Sequence, residues 1–111
     1  ALVLGSPGGS SIITSVYQVI LNVFEFDMDI KQAIDKPRFH HQWVPEYIDL
    51  EPNTFSKKTV EELRGKKYYI DRNRDGFIGR VDAIRVTKGG SIIPAPDQRG
   101  DDAEATIMSV D

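Results

Sequence analysis

Ser6-Pro7-Gly8-Gly9-Ser10 lies between a short apolar run and a long apolar segment, and it holds the residue types best suited to chemistry in this 111-residue chain. Glycines let a backbone approach a ligand closely, and N–H groups at a helix start point toward negative charge. Such a turn can cradle an anion or an oxyanion, or it can be no more than a tight turn. Residue chemistry leaves both open. It is not a phosphate-binding P-loop, because no Gly-Lys-Ser/Thr closes it, and it is not Gly-x-Gly-x-x-Gly. A second candidate places Asp71, Asn73 and Asp75 at loop positions 1, 3 and 5, Gly76 at 6, Ile78 at 8 and Asp82 at 12, the spacing that wraps calcium. Asp82 is shorter than the usual bidentate Glu, Arg72 and Arg74 lie among the ligand positions, and the flanks Tyr68-Tyr69-Ile70 and 80–86 look like strands. A hairpin with an Asp75-Gly76 turn is the plainer reading.

His40-His41, with Arg38 and Trp43 nearby, suggests a metal site or a general base. Adjacent histidines point to different faces of an extended chain, and no third ligand sits at zinc-like spacing, so packing is the simpler role. Glu61-Glu62 with Lys57-Lys58 and Lys66-Lys67 reads as a solvated helix face. Arg99-Gly100-Asp101 spells an adhesion tripeptide, a match too short to carry a function. No nucleophile presents itself. There is no Gly-x-Ser-x-Gly elbow and no cysteine, and Ala1 cannot serve as an N-terminal nucleophile, which needs Thr, Ser or Cys beside its own amine.

These residues need a scaffold of one domain, since domains run to about 100–200 residues and 40% apolar content supplies one core. With 14 Lys+Arg against 17 Asp+Glu the net charge is −3, which argues against a nucleic-acid partner. No apolar run reaches the roughly 20 residues of a membrane span. The absence of Cys excludes a disulfide framework and leaves the compartment open. Ala1-Leu2-Val3-Leu4 reads as a strand, and the start without Met or a basic region suggests a segment of a longer protein.

After that strand, Ser10 or Ser11 is the expected N-cap of a helix from Ile12 to Phe26, apolar on nearly every side and so sandwiched between layers. Asp29 caps a shorter helix that stops before Pro37. A strand is expected over Tyr47 to Glu51, and a helix from Lys57 to Arg64 with Ser56 at its start and Gly65 as its stop. Lys67 to Asp71 and Phe77 to Thr87 read as strands joined by a tight turn, followed by strands over Ser91 to Pro94 and Ala105 to Val110. This order predicts a layered α+β piece with mostly antiparallel strands.

Taken together, Leu2 to Ser10 with its helix, Asp29 to Pro37, Pro37-Arg38-Phe39-His40-His41-Gln42-Trp43, Ile78 to Ile84 and the closing Asp97 to Asp102 closely resemble the small, C-terminal subunit of γ-glutamyltranspeptidases. The resemblance implies that residues 1–111 form a single-domain C-terminal portion of that subunit, part of an N-terminal-nucleophile hydrolase αββα sandwich. It implies a precursor that cleaves itself, and a new N-terminal threonine that attacks γ-glutamyl amides such as glutathione. The acyl group then passes to water or an amino acid. On this pattern Gly8 and Gly9 form the oxyanion hole, and Ser6, Gly8 and Gly9 bind substrate. The partners are the remainder of the small subunit, the large subunit and a small-molecule γ-glutamyl substrate, with no cofactor, no nucleic acid and no membrane span in this segment. The location implied is periplasmic, extracellular or cell-surface. The nucleophile lies outside this chain, so these residues alone are expected to be inert. The tail departs from the family's Asp-Pro-Arg in reading Asp97-Gln98-Arg99. Alternatives are a related amidohydrolase, such as a poly-γ-glutamate depolymerase or a β-lactam acylase, and a calcium module on Asp71, Asn73, Asp75 and Asp82.

Overall fold

The computed structural model describes residues 1–72 and 76–100, with Arg72 by its backbone alone. The expected strand Ala105–Val110, the calcium-loop residues Asn73 and Asp75, and Asp101 and Asp102 lie outside the described residues. Six strands and three helices follow in the order β1 (Leu2–Gly5), α1 (Ser11–Phe24), α2 (Ile30–Asp35), β2 (Phe39–His40), β3 (Tyr47–Leu50), α3 (Lys57–Gly65), β4 (Tyr69–Arg72), β5 (Asp82–Val86) and β6 (Ile92–Ala95).

Two sheets result. The first is antiparallel with the order β1-β5-β6, Leu2 facing Arg85 and Gly5 facing Asp82. α1 and α2 cover it. Val19, Val23, Ile30, Ala33 and Ile34 from the helices meet Val81, Ala83 and Ala95 in one core. Removing each of the larger of these side chains from water stabilises by about 1.5–3 kcal/mol. The second sheet has the order β2-β3-β4, and α3 packs Val60 on Ile48 and Leu50.

Local signals position several of these elements as expected. Asp29 closes a capping box, its carboxylate accepting from Gln32 N–H while the Gln32 side chain accepts from Asp29 N–H. Ser56 Oγ accepts from Thr59 N–H at the start of α3. The turn at Gly89-Gly90 joins β5 to β6 with Ala83 facing Ala95.

Other expectations are corrected. β4 and β5 are not a hairpin, for β4 pairs parallel with β3 through the α3 crossover, whereas β5 belongs to the other sheet. The Phe77–Thr87 strand shrinks to Asp82–Val86 because the preceding backbone bonds to side chains instead of to a neighbouring strand. Ile78 N–H donates to Glu51 Oε2, Arg80 N–H to Ser6 Oγ and Val81 N–H to Asp97 Oδ2, with Gly79 at φ +69° between them. Gly65 is the last residue of α3 and not its stop. The left-handed residue that turns the chain is Lys67, at φ +68°. Neither serine caps α1 by accepting a hydrogen bond: Ser10 makes no side-chain cap, and Ser11 Oγ donates to Gly8 C=O at 2.8 Å. Among the described residues α1 is covered on one face only, with Ile13 77%, Tyr17 59% and Phe24 62% exposed on the other.

Candidate active site

The glycine turn sits where β1 leaves the first sheet and α1 begins. Gly8 has φ +126° and Gly9 φ +59°, conformations that L side chains rarely adopt. At Gly8 a Cβ would also lie 2.8 Å from Ser11 Oγ. Both glycines are exposed. Their carbonyls accept from the first turn of α1, Ser11 N–H to Gly8 C=O and Ile12 N–H to Gly9 C=O, each at 3.2 Å. Among the described residues neither the Gly8 nor the Gly9 N–H is used as a donor.

Gly8 borders an open hollow of about 250 Å³ whose wall includes Ser11, His40, Tyr47, Asp49 and Gly79. Neither Ser6 nor Gly9 is part of that wall. Ser6 Oγ donates to Pro7 C=O at 2.7 Å and accepts from Arg80 N–H at 3.0 Å, so only an acceptor lone pair remains for any ligand.

Phe77, Ile78 and Gly79 also line the hollow, and Gly79 brings the 78–81 segment close to the turn. A Cβ on Gly79 would fall 2.2 Å from Ser15 Oγ and 3.2 Å from Ser6 Oγ. Behind this segment lies a buried charge cluster. Arg38 Nη2 meets Asp97 Oδ2 at 2.9 Å, and Arg38 Nη1 donates to Ile78 C=O at 3.0 Å. Arg99 grips Glu51 through both Nε and Nη2, and reaches Asp97 Oδ1 at 3.0 Å. Two cations and two carboxylates thus neutralise one another, and most of their spare donors and acceptors are spent on backbone, with Arg38 Nε left without a partner among the described residues. Burial alone would raise the Asp97 carboxyl, but the Arg99 N–H, the Arg38 guanidinium and the Val81 N–H outweigh it and hold Asp97 below the ordinary carboxylate range. Burial lowers the Arg38 guanidinium, helped by nearby Arg99.

His40 is buried, and both its ring nitrogens are engaged, Nδ1 with Thr14 Oγ1 at 2.7 Å and Nε2 with Gln42 Oε1 at 2.8 Å. Gln42 Nε2 in turn donates to Val44 C=O at 2.8 Å. His41 and Trp43 are exposed, so the two histidines do not converge. Burial raises the Asp49 carboxyl, and Asp71, directly opposite on β4, raises it further. Among the described residues no three His, Cys, Asp or Glu side chains form a metal-sized group. Asp82 Oδ1 accepts from Asp97 N–H, and Asp71 and Asp82 stand in different sheets. No helix among the described residues is long and apolar enough to cross a membrane.

Sequence reasoning missed Ser11, Thr14, Gly79 and the Glu51–Arg99 pair. Gly79 and Arg99 had a signal, in the Ile78 to Ile84 and Asp97 to Asp102 motifs.

The described residues thus present an antiparallel sheet under two helices, with a glycine turn at the strand-to-helix corner whose two amides have no acceptor among them. The gamma-glutamyltranspeptidase family model matches residues 1–107. Over 103 residues, 91% of this chain, 37% are identical to the glutathione hydrolase proenzyme of Escherichia coli strain K12, of which the match spans 17%. A gamma-glutamyltranspeptidase mutant from Pseudomonas nitroreducens superposes with a TM-score of 0.88 at 34% identity, covering 97% of this chain and 56% of that one. The Bacillus anthracis transpeptidase CapD shares the fold at 20% identity and a TM-score of 0.81, covering 96% of this chain and 63% of that one. The chain belongs to the gamma-glutamyltranspeptidase family. Its α+β fold is part of that family's N-terminal-nucleophile αββα sandwich. It spans about a sixth of the curated relative and just over half of the solved family chain.

Proposed function

We propose that the protein carrying this chain is a γ-glutamyltransferase and glutathione hydrolase, and that this chain supplies its oxyanion hole. Gly8 and Gly9 donate their N–H groups to the oxygen that becomes negative when a threonine hydroxyl, from outside these residues, attacks the γ-glutamyl amide carbonyl. The threonine's own amine accepts its hydroxyl proton and passes it to the leaving amine. Collapse of the tetrahedral intermediate leaves a γ-glutamyl ester, which water or an amino acid then resolves. Ser6 and the two glycines border the bound acyl group, the remainder of the small subunit and the large subunit complete the site, and no cofactor takes part.

The observation that carries this reading is the pair of bare amides without an acceptor among the described residues, on a turn that holds Gly8 at φ +126° and Gly9 at φ +59°. Each preorganised donor of this kind is worth about 2.7–4 kcal/mol of transition-state stabilisation. The test is release of the anilide from γ-glutamyl-p-nitroanilide, and of glutamate from glutathione, by the intact purified protein. Turnover of both is expected. A folded, intact protein that releases neither contradicts the proposal.

A further inference from the structure

The two amides at the turn are each one half of a peptide whose other half is held by a serine hydroxyl. Ser6 Oγ donates to Pro7 C=O at 2.7 Å, the carbonyl of the peptide that ends in Gly8 N–H. Ser11 Oγ donates to Gly8 C=O at 2.8 Å, the carbonyl of the peptide that ends in Gly9 N–H. Both peptides are trans, and in a planar trans peptide the N–H points opposite to the C=O. Holding the carbonyl therefore sets the direction of the amide on the far side.

We propose that Ser6 and Ser11 are positioning residues for the oxyanion donors, Ser6 for the Gly8 N–H and Ser11 for the Gly9 N–H. The inference rests on the oxyanion-hole reading above. A helix-capping role does not explain Ser11, whose hydroxyl donates backwards to Gly8 C=O where an N-cap would accept from the helix. Ser11 N–H already donates to the same carbonyl at 3.2 Å, so the hydroxyl adds a second restraint. Ser6 is itself fixed from behind by Arg80 N–H at 3.0 Å, which ties its orientation to the clamped 78–81 segment. Glycine is the least restrained residue type, and two in succession need external restraint to keep their amides aimed.

The test uses the intact enzyme carrying Ser6→Ala, Ser11→Ala, Ser6→Thr or Ser11→Thr, with rates referred to matured active sites. Each alanine variant is expected to lower kcat for γ-glutamyl-p-nitroanilide about tenfold, less than the 10²–10³-fold loss when a donor itself is removed. KM should stay within about twofold, because the ground-state carbonyl demands less of the amides than the oxyanion does. Affinity for a glutamate-derived boronate, which forms a tetrahedral adduct, should fall with kcat, whereas competitive inhibition by L-glutamate should not change. The threonine variants keep the hydroxyl and should recover most of the rate. Should one alanine variant fail to fold, the other gives the same readout. Alanine variants with undiminished kcat, or with boronate and L-glutamate affinities lost together and no recovery by threonine, overturn the inference. An inactive wild type overturns the oxyanion reading instead.

Discussion

Gly8 shows most sharply what a single position requires, because its φ of +126° and the 2.8 Å approach to Ser11 Oγ both exclude a side chain. Gly8→Ala in the intact enzyme is expected to cut kcat by about 10²-fold or more, by disturbing one donor. The same change is also expected to destabilise by about 1–3 kcal/mol, the cost of holding a side chain in that strained backbone region, so turnover is compared for the folded variant. A mutant that loses stability and not turnover, followed by calorimetry and anilide release, would contradict this. The glycine turn and the Asp29 and Ser56 caps were legible from residue types, because each acts through its immediate neighbours. Ser11, Thr14 and the Glu51–Arg99 pair were not, since their partners depend on hydroxyl direction or on contacts 26 and 48 residues apart.

Elements meet at the 78–81 segment, where two arginines and two carboxylates replace a strand partner. Removing one carboxylate leaves a buried cation uncompensated. Asp97→Ala is therefore expected to destabilise by about 3–5 kcal/mol in denaturant unfolding, where a loss under 1 kcal/mol would show that the cluster contributes little. Asp97 also gives the fold an acid dependence. Its carboxyl titrates below its ordinary value in the native state, so its stabilisation is complete above the unfolded value of 3.8 and disappears as pH falls through the lowered native one. Asp97→Asn should flatten stability over that acid range, and an unchanged acid profile would contradict the assignment. In the second sheet Asp71 opposes Asp49 in register. Like charges directly opposite destabilise, so Asp71→Asn is expected to raise stability at neutral pH by about 0.2–1 kcal/mol, and a lower Tm would count against that repulsion. The helices and β1, β3 and β6 were legible from periodicity and turn residues. The parallel β3–β4 pairing was not, because an Asp-Gly turn signals a local reversal and carries no information about which sheet each flank joins.

At the scale of the whole molecule the α+β class was legible, and so was the family, because its motifs recur in order along most of the chain. α1, apolar on nearly every side, predicted burial between layers, and one side finds its cover within the described residues while Ile13, Tyr17 and Phe24 remain open. Contiguous exposed apolar surface favours association. The 111-residue chain on its own is therefore expected to self-associate in sedimentation, and Ile13→Glu with Tyr17→Glu to reduce it. A monodisperse wild-type monomer would contradict this. Catalysis by this turn depends on where its two amides point when charge develops. The most direct measurement is a crystal structure of the intact enzyme bearing a tetrahedral boronate adduct. One adduct oxygen is expected about 2.7–3.1 Å from both the Gly8 and Gly9 nitrogens; an adduct held by other donors, with either amide paired inside the protein, is the contradicting result.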